Sequence, residues 1–393
     1  MFTVLLGVGI VIPVLPAYLS YFDASGVVAG FLIASFGITQ FLFSPLGGKW
    51  SDRYGRKSLI IWGMVLNAIS HLLFAIGDHL ALLFISRLIG GIGLGFTIPS
   101  ITAYVVDVTN RDDRIKGMGW IGAAISLGIA IGPGIGGFLA SYSMRLPYYS
   151  STLLSVLATL FSLIMLSETR VKSIKPVLIS NQRSTITSFR ENIHKQIQSG
   201  IFVLLLLSFI FTFGLMSFET VFPLFADSYY GYTTREIALI FTAGAIMGVI
   251  VQFLILSRLT KRFGEIKLIY CTLLFASISL VLMLLSESFI YILLLSIIFF
   301  TSQSLLRPIL NASLSKRATD DEQGYVAGLG NTYMSVGNIF GPITAGILYD
   351  VSHLFPYLFG ASMLMIGIIV FFIFGQREKL YSSRNLSSSE HIG

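Results

Sequence analysis

Long apolar runs, each broken off by a short polar segment, recur from one end of this chain to the other. A bilayer's hydrocarbon core takes roughly 20 mainly apolar helical residues to cross. Stretches of that length lie at 2–22, 26–48, 58–77, 80–104, 115–140, 146–166, 200–226, 236–257, 267–286, 288–313, 324–348 and 355–375. The runs are continuous rather than alternating. In lipid every backbone polar group needs an internal partner, so runs of this kind form helices and not barrel strands. The expected fold is all-α and integral to a membrane, with twelve transmembrane helices.

The pattern is also duplicated. Pro99, Pro133 and Pro147 recur 209 residues later as Pro308, Pro342 and Pro356. The same offset carries Gly55 onto Gly264, Gly128 onto Gly337, Gly132 onto Gly341, Gly137 onto Gly346 and Asp112/Asp113 onto Asp321/Glu322. Two pseudo-symmetric six-helix bundles are expected, 1–166 and 200–375, with a polar cytoplasmic linker at 167–199 and a serine-rich tail at 376–393 expected to be disordered. In the linker, Phe189, Ile193 and Ile197 recur at helical spacing among basic residues, which fits an amphipathic surface helix or a plain connector. Two like halves suit a transporter that rocks about a central site and exposes it to each side in turn.

Charge placement orients the chain. With 11% charged and 54% hydrophobic residues and a mean hydropathy of +0.82, it departs far from a soluble domain, which carries about 25% charged residues. If both termini are cytoplasmic, 22 of the 26 Lys and Arg fall on the inside. Only Arg145 and Arg235 fall outside, and Arg87 and Arg307 lie within spans, as the positive-inside rule requires. The net charge of +7 is thus read as topology, and the basic residues, spread over separate loops, offer no face for nucleic acid. The first span starts almost at Met1 without a cationic leader or cleavage site, so either a short first helix or a start assigned a few residues late is expected. Cys271 sits in an apolar run and reads as packing, and the five histidines have no metal-ligand spacing. No nucleophile with a base appears, and neither catalysis, a metal nor a cofactor is expected.

Three places carry candidate chemistry. Between the second and third spans lies GKWSDRYGRK. Gly48 would allow close helix contact, Asp52 would pair with a charge or cap a helix, and Gly55 would permit a tight turn. Arg53, Arg56 and Lys57 would anchor the turn at an anionic leaflet. The second-half counterpart, SRLTKRFGEIK, keeps Gly264 but has Lys261 in place of Asp52. The fifth span holds GIAIGPGIGG, where Gly128, Gly132, Gly136 and Gly137 permit close helix approach and Pro133 bends the span, a packing seam or a hinge between halves. The third place is the set of ionisable residues inside the membrane: Arg87, Glu219 and Arg307, with Asp107 near a span end. Charges there are costly and mark sites by default. Glu219 is flanked by Phe218 and Phe222, read here as part of a substrate wall, and desolvation in that setting favours the protonated carboxyl. Such a group holds a proton or a cationic substrate but not both. Pairing of Glu219 with Arg87 or Arg307 is the structural alternative.

GKWSDRYGRK resembles the cytoplasmic loop of the major facilitator superfamily at every specified position, and GIAIGPGIGG resembles the signature of its drug/proton antiporter branch, which favours export over uptake. The stretches GVGIVIPVLPAYL, FGITQFLFSPLGGKWSDRYGRK, SRLIGG, GPGIGGF, SFET, RPILN, GNIFGPITAG and LYDV resemble the Gram-positive multidrug exporters of the quinolone-resistance type. That resemblance implies a monomeric antiporter of the bacterial cytoplasmic membrane, driven by the proton gradient without a cofactor. It would export amphipathic and cationic drugs such as fluoroquinolones, dyes and quaternary ammonium compounds. It implies a pocket of Ile12, Pro13, Phe36, Gln40, Arg87, Ser126, Glu219, Arg307 and Asn338, with Glu219 as the proton-coupling residue and Arg87 as an arginine linked to proton transfer; Arg307 is expected to share in the coupling and Ser304 in binding the substrate. Two positions depart from the family pattern: Ser304 stands where an aspartate is expected, and Ser126 where an asparagine is. A narrow transporter of a sugar, amino acid or siderophore is the rival expectation, although the polar residues within the spans are few for such cargo.

Overall fold

The computed structural model describes residues 1–110, 113–169, 200–318 and 323–389. The linker segment 170–199, with Phe189, Ile193 and Ile197, lies outside them. Ten helices among the described residues are long and apolar enough to cross a membrane. In chain order the second to seventh spans are Gly26–Tyr54, Arg56–Ala75, Leu80–Val108, Arg114–Ala140, Leu146–Met165 and Ile201–Ser228. The eighth is Thr234–Leu254, the ninth Glu265–Leu282, the tenth Phe289–Arg317 and the twelfth Phe355–Ser389. The eleventh, Gln323–Val351, is long enough but less apolar. The first is broken into Phe2–Val11, a 3-10 turn at Ile12–Val14, and Leu15–Tyr21. Pro13 and Pro16 lack the N–H groups that would continue the helical ladder.

Polar flanks extend several helices beyond the apolar runs. The second span continues as helix through the Asp52 motif to Tyr54. It ends because Gly55, at φ +107°, adopts a left-handed conformation, and Gly264 repeats this at φ +78° after the short basic helix Leu256–Phe263. The twelfth helix runs to Ser389, past Gln376 where the tail was expected to become disordered. Gln376, Arg377, Glu378 and Lys379, where the helix passes beyond the apolar run, are good helix formers.

Small residues decide which helices meet. On the fifth span, Gly128, Gly132 and Gly136 share a face that lies against the first span: a methyl at Gly132 would come within 2.7 Å of the Gly9 Cα, and one at Gly128 within 2.8 Å of the Phe2 carbonyl oxygen. Gly134 and Gly137 lie on another face, against Thr242 and Ala238 of the eighth span. The eleventh span repeats the arrangement: Gly337 and Gly341 abut Phe209 and Phe213 of the seventh, and Gly346 abuts Gly26 of the second. Backbone approach through small residues is the main means by which helices associate in lipid.

Among the described residues these contacts join the two halves towards one end. One end of the bundle carries the basic loops and is called here the basic face. At the opposite, far face, Asp350 at the close of the eleventh span accepts hydrogen bonds from Gly26 N at 2.6 Å and Val27 N at 3.0 Å. A carboxylate of one half thereby caps a helix N-terminus of the other. Gly30 lies against the Pro342 carbonyl, and Leu224 of the seventh span packs into the first-half core around Tyr18, Phe74 and Tyr148. Towards the basic face Arg56, Lys57 and Lys316 each bond within their own half. Side chains at Gly119, Gly122 or Gly328 would meet nothing within 4 Å. The halves are closed at the far face and splayed at the basic face.

Candidate functional site

The opening between the halves is the candidate cavity, and among the described residues the membrane-embedded charges Arg87, Glu219 and Arg307 make no contact with one another. Glu219 is half-buried on the seventh span, and among the described residues its carboxylate accepts no hydrogen bond and meets no cation. Neither Arg87 nor Arg307 pairs with it, so the structural alternative to a free carboxyl is not realised in this conformation.

Phe218 and Phe222 do not join Glu219 in a substrate wall. They are 2% and 1% exposed, inside the second-half core. Phe218 packs on Phe222 at 4.8 Å, Phe299 at 4.6 Å and Phe300 at 5.7 Å between ring centroids. The reason is the helical turn of about 100° per residue, which points sequence neighbours in different directions.

The two arginines differ. Arg87 is half-buried, with its Cζ 4.6 Å from the centre of the Phe74 ring, a cation–π contact, and its buried Nε has no partner. Phe74 in turn stacks on Tyr148 at 4.3 Å. Arg307 is exposed and makes no hydrogen bond, ion pair or ring contact with any described residue. Ser304, one turn away, is half-buried and close enough to Gly248 of the eighth span to leave no room for a Cβ there.

Of the other expected pocket residues, Ile12 and Asn338 lie at the boundary between the halves. Ile12, in the 3-10 turn of the first span, packs against the core of the second half, while Pro13 beside it is buried. Phe36 and Gln40 are half-buried on the second span, next to Gly90 and Gly91 of the fourth. Ser126 is half-buried on the fifth. The Asn338 carbonyl would lie 3.6 Å from a methyl at Gly37, across the boundary between halves.

The loop motif forms an interlocked corner on the basic face. Arg56 pairs with Asp52 and reaches Asp107 at 3.0 Å and Ser51 at 3.2 Å. Its backbone N–H donates to Glu168 at 2.8 Å, so a residue just beyond the sixth span caps the third helix. Thr169 adds a bond to Asp107 at 3.2 Å, Lys57 donates to the Leu163 carbonyl at 2.7 Å, and Arg53 stacks on Tyr54 at 5.3 Å. One expectation is corrected and one alternative is decided. Close helix contact is made by Gly47, against the Gly95 carbonyl, because Gly48 faces open space on the next part of the turn. Asp52 serves as an ion-pair partner here and caps no helix. Glu168 was not foreseen, since only its acidity at a span end signals it.

The chain matches the family described as Major Facilitator Superfamily over residues 1–342 and 230–390. It is 37% identical to Multidrug resistance protein 2 of Bacillus subtilis, over 93% of this chain and 91% of that one. To the Quinolone resistance protein NorA of Staphylococcus aureus it is 31% identical over 98% and 97%. A solved D-xylose-proton symporter covers 94% of each chain with a TM-score of 0.74 at 19% identity, a likeness of fold alone.

Proposed function

Because the chain belongs to the Major Facilitator Superfamily, and so is a multi-span membrane transporter rather than an enzyme, we propose that it is a proton-coupled antiporter exporting amphipathic and cationic compounds from a bacterial cell. The names of its relatives, multidrug and quinolone resistance, support that cargo class. With both termini in the cytoplasm, as the basic loops favour, the basic face is the inner one and the structure is the inward-facing state. Both sides of the cavity come from one copy of the chain, so a monomer is the proposed working unit.

The observation that carries the reading is the unpartnered carboxyl of Glu219 at the cavity. From the inward-facing state an ionised Glu219 attracts a cationic amphiphile from the cytoplasm or inner leaflet. The halves then rock: the far-face clasp at Asp350 and the glycine seams part, and the basic face closes. A proton arriving from outside neutralises Glu219, ends its attraction for the cargo and releases it. Return to the inward-facing state takes place with the carboxyl neutral, and loss of the proton to the cytoplasm completes the exchange. Competition of proton and cargo for one group suffices for antiport.

The test is ethidium efflux from loaded cells, with and without a protonophore. Wild type should export the dye in a protonophore-sensitive way, and Glu219→Gln, which holds the group permanently neutral, should abolish gradient-driven export. Export by Glu219→Gln at the wild-type rate would remove this residue from coupling.

A further inference from the structure

Taking the cavity as the cargo site, the reading on which this inference rests, leaves a polar row on the tenth span without a task. Gln303, Arg307 and Asn311 follow at four-residue spacing and occupy one face over two turns. Gln303 is 3% exposed, with both amide atoms buried and unpartnered. Arg307 and Asn311 are exposed and bond to no described residue. Buried polar atoms left unpaired are rare enough to call for a role.

Arg307 does not face lipid. The exposed apolar stripe of this helix runs through Ile290, Leu294 and Ile298. Arg307 lies roughly 140–180° around the helix from Leu294 and Ile298, on the side turned to the space between the halves. Its height follows from packing. Phe218 contacts Phe299 at 4.6 Å, which sets Glu219 level with the middle of the tenth span. Eight further residues carry Arg307 roughly 12 Å nearer the basic face.

The cavity therefore has a negative point and, one drug-length away, a positive one. Arg87 is engaged with Phe74, whereas the Arg307 guanidinium is free. We propose that Arg307 is the anion-binding group of the cavity and that, with Glu219, it makes a bipolar site preferring amphipathic zwitterions that carry a carboxylate over the corresponding esters. A guanidinium takes a carboxylate through two parallel hydrogen bonds, and amide N–H groups one turn to either side can add to them. Of the three ionisable residues set deep in the spans, Arg87, Glu219 and Arg307, two are cations, so a plain cation meets net positive charge. A zwitterion brings its own counter-charge to Arg307.

Rhodamine 110 and its methyl ester, rhodamine 123, share a fluorophore and differ only in whether the carboxylate is free. Their binding to the purified full-length protein in lipid nanodiscs is measured by fluorescence polarisation, for wild type, Arg307→Gln and Arg307→Lys. The acid should bind wild type about tenfold tighter than the ester, the scale of one charge-assisted interaction. Arg307→Gln should weaken the acid about tenfold while leaving the ester within about twofold, and Arg307→Lys should keep most of the preference. Ester preference in wild type, or equal weakening of both dyes in Arg307→Gln, overturns the proposal and leaves the efflux reading standing. Failure of folded wild type to bind either dye overturns the efflux reading and this proposal with it.

Discussion

The corner where the second span turns into the third and the corner where the eighth turns into the ninth occupy equivalent places in the two halves, yet their ion pairs run in opposite senses. Arg56 meets Asp107 at 3.0 Å, and 209 residues on Glu265 meets Lys316 at 2.5 Å. Duplication kept the geometry, a helix start beside a helix end, and let the polarity invert. The inversion is not neutral. An acid at a helix start and a base at a helix end agree with the helix dipoles, so Glu265 and Lys316 are favoured where they stand. Arg56 and Asp107 oppose the dipoles. The first corner therefore needs Glu168 on the exposed N–H of Arg56, with Asp52 and Ser51 holding the guanidinium. At the second, among the described residues, Ser313 bonds to Glu265 beside its pair and Arg317 adds a nearby positive charge, while a side chain at Gly264 would meet open space. One corner is a network with the Arg56 side chain 18% exposed, the other a surface pair with Lys316 at 69%.

Charge inversion separates the two most sharply. Arg56→Glu with Asp107→Arg places a new carboxylate beside Asp52 and Glu168, and should destabilise the protein by about 2 kcal/mol, allowing for partial exposure. Glu265→Lys with Lys316→Glu should cost under about 1 kcal/mol, since its site is screened by water. Thermal unfolding in detergent reads both, and equal shifts would mean the corners are alike. A smaller effect is expected at the far face, where the halves meet through Asp350. Asp350→Ala removes a cap worth about 1 kcal/mol and should raise the outward-open share roughly fivefold, whereas Asp350→Asn, also a good cap, should leave it near wild type. Spin labels on Ser141 and Arg235 would report the separation as an added long-distance population.

Much of this was legible in the chain alone. Run length gave the twelve spans, the 209-residue offset gave the two halves, and the loop motif marked the Arg56 corner. What escaped the sequence depends on direction and on distant partners. Adjacency misplaces Phe218 and Gly48, since one residue of helical rotation moves each to another face, and Phe222 follows Phe218 into the core one turn on. Glu168 acts on Arg56 from 112 residues away, and Asp350 on Gly26 from 324. No local pattern encodes such pairings. The free state of Arg307 was equally unreadable, because a buried partner and an empty cavity look the same in one dimension.

The fifth span has a consequence for how such a protein drifts under selection. Gly128, Gly132 and Gly136 bind it to its own half, so replacements there damage assembly and are purged whatever the drug. Gly134 and Gly137 lie against the other half, where a Cβ would overlap Thr242 and Ala238 of the eighth span. In a population exposed to toxic compounds, replacements at those two positions should therefore disturb the join between the halves before they disturb the fold of either half.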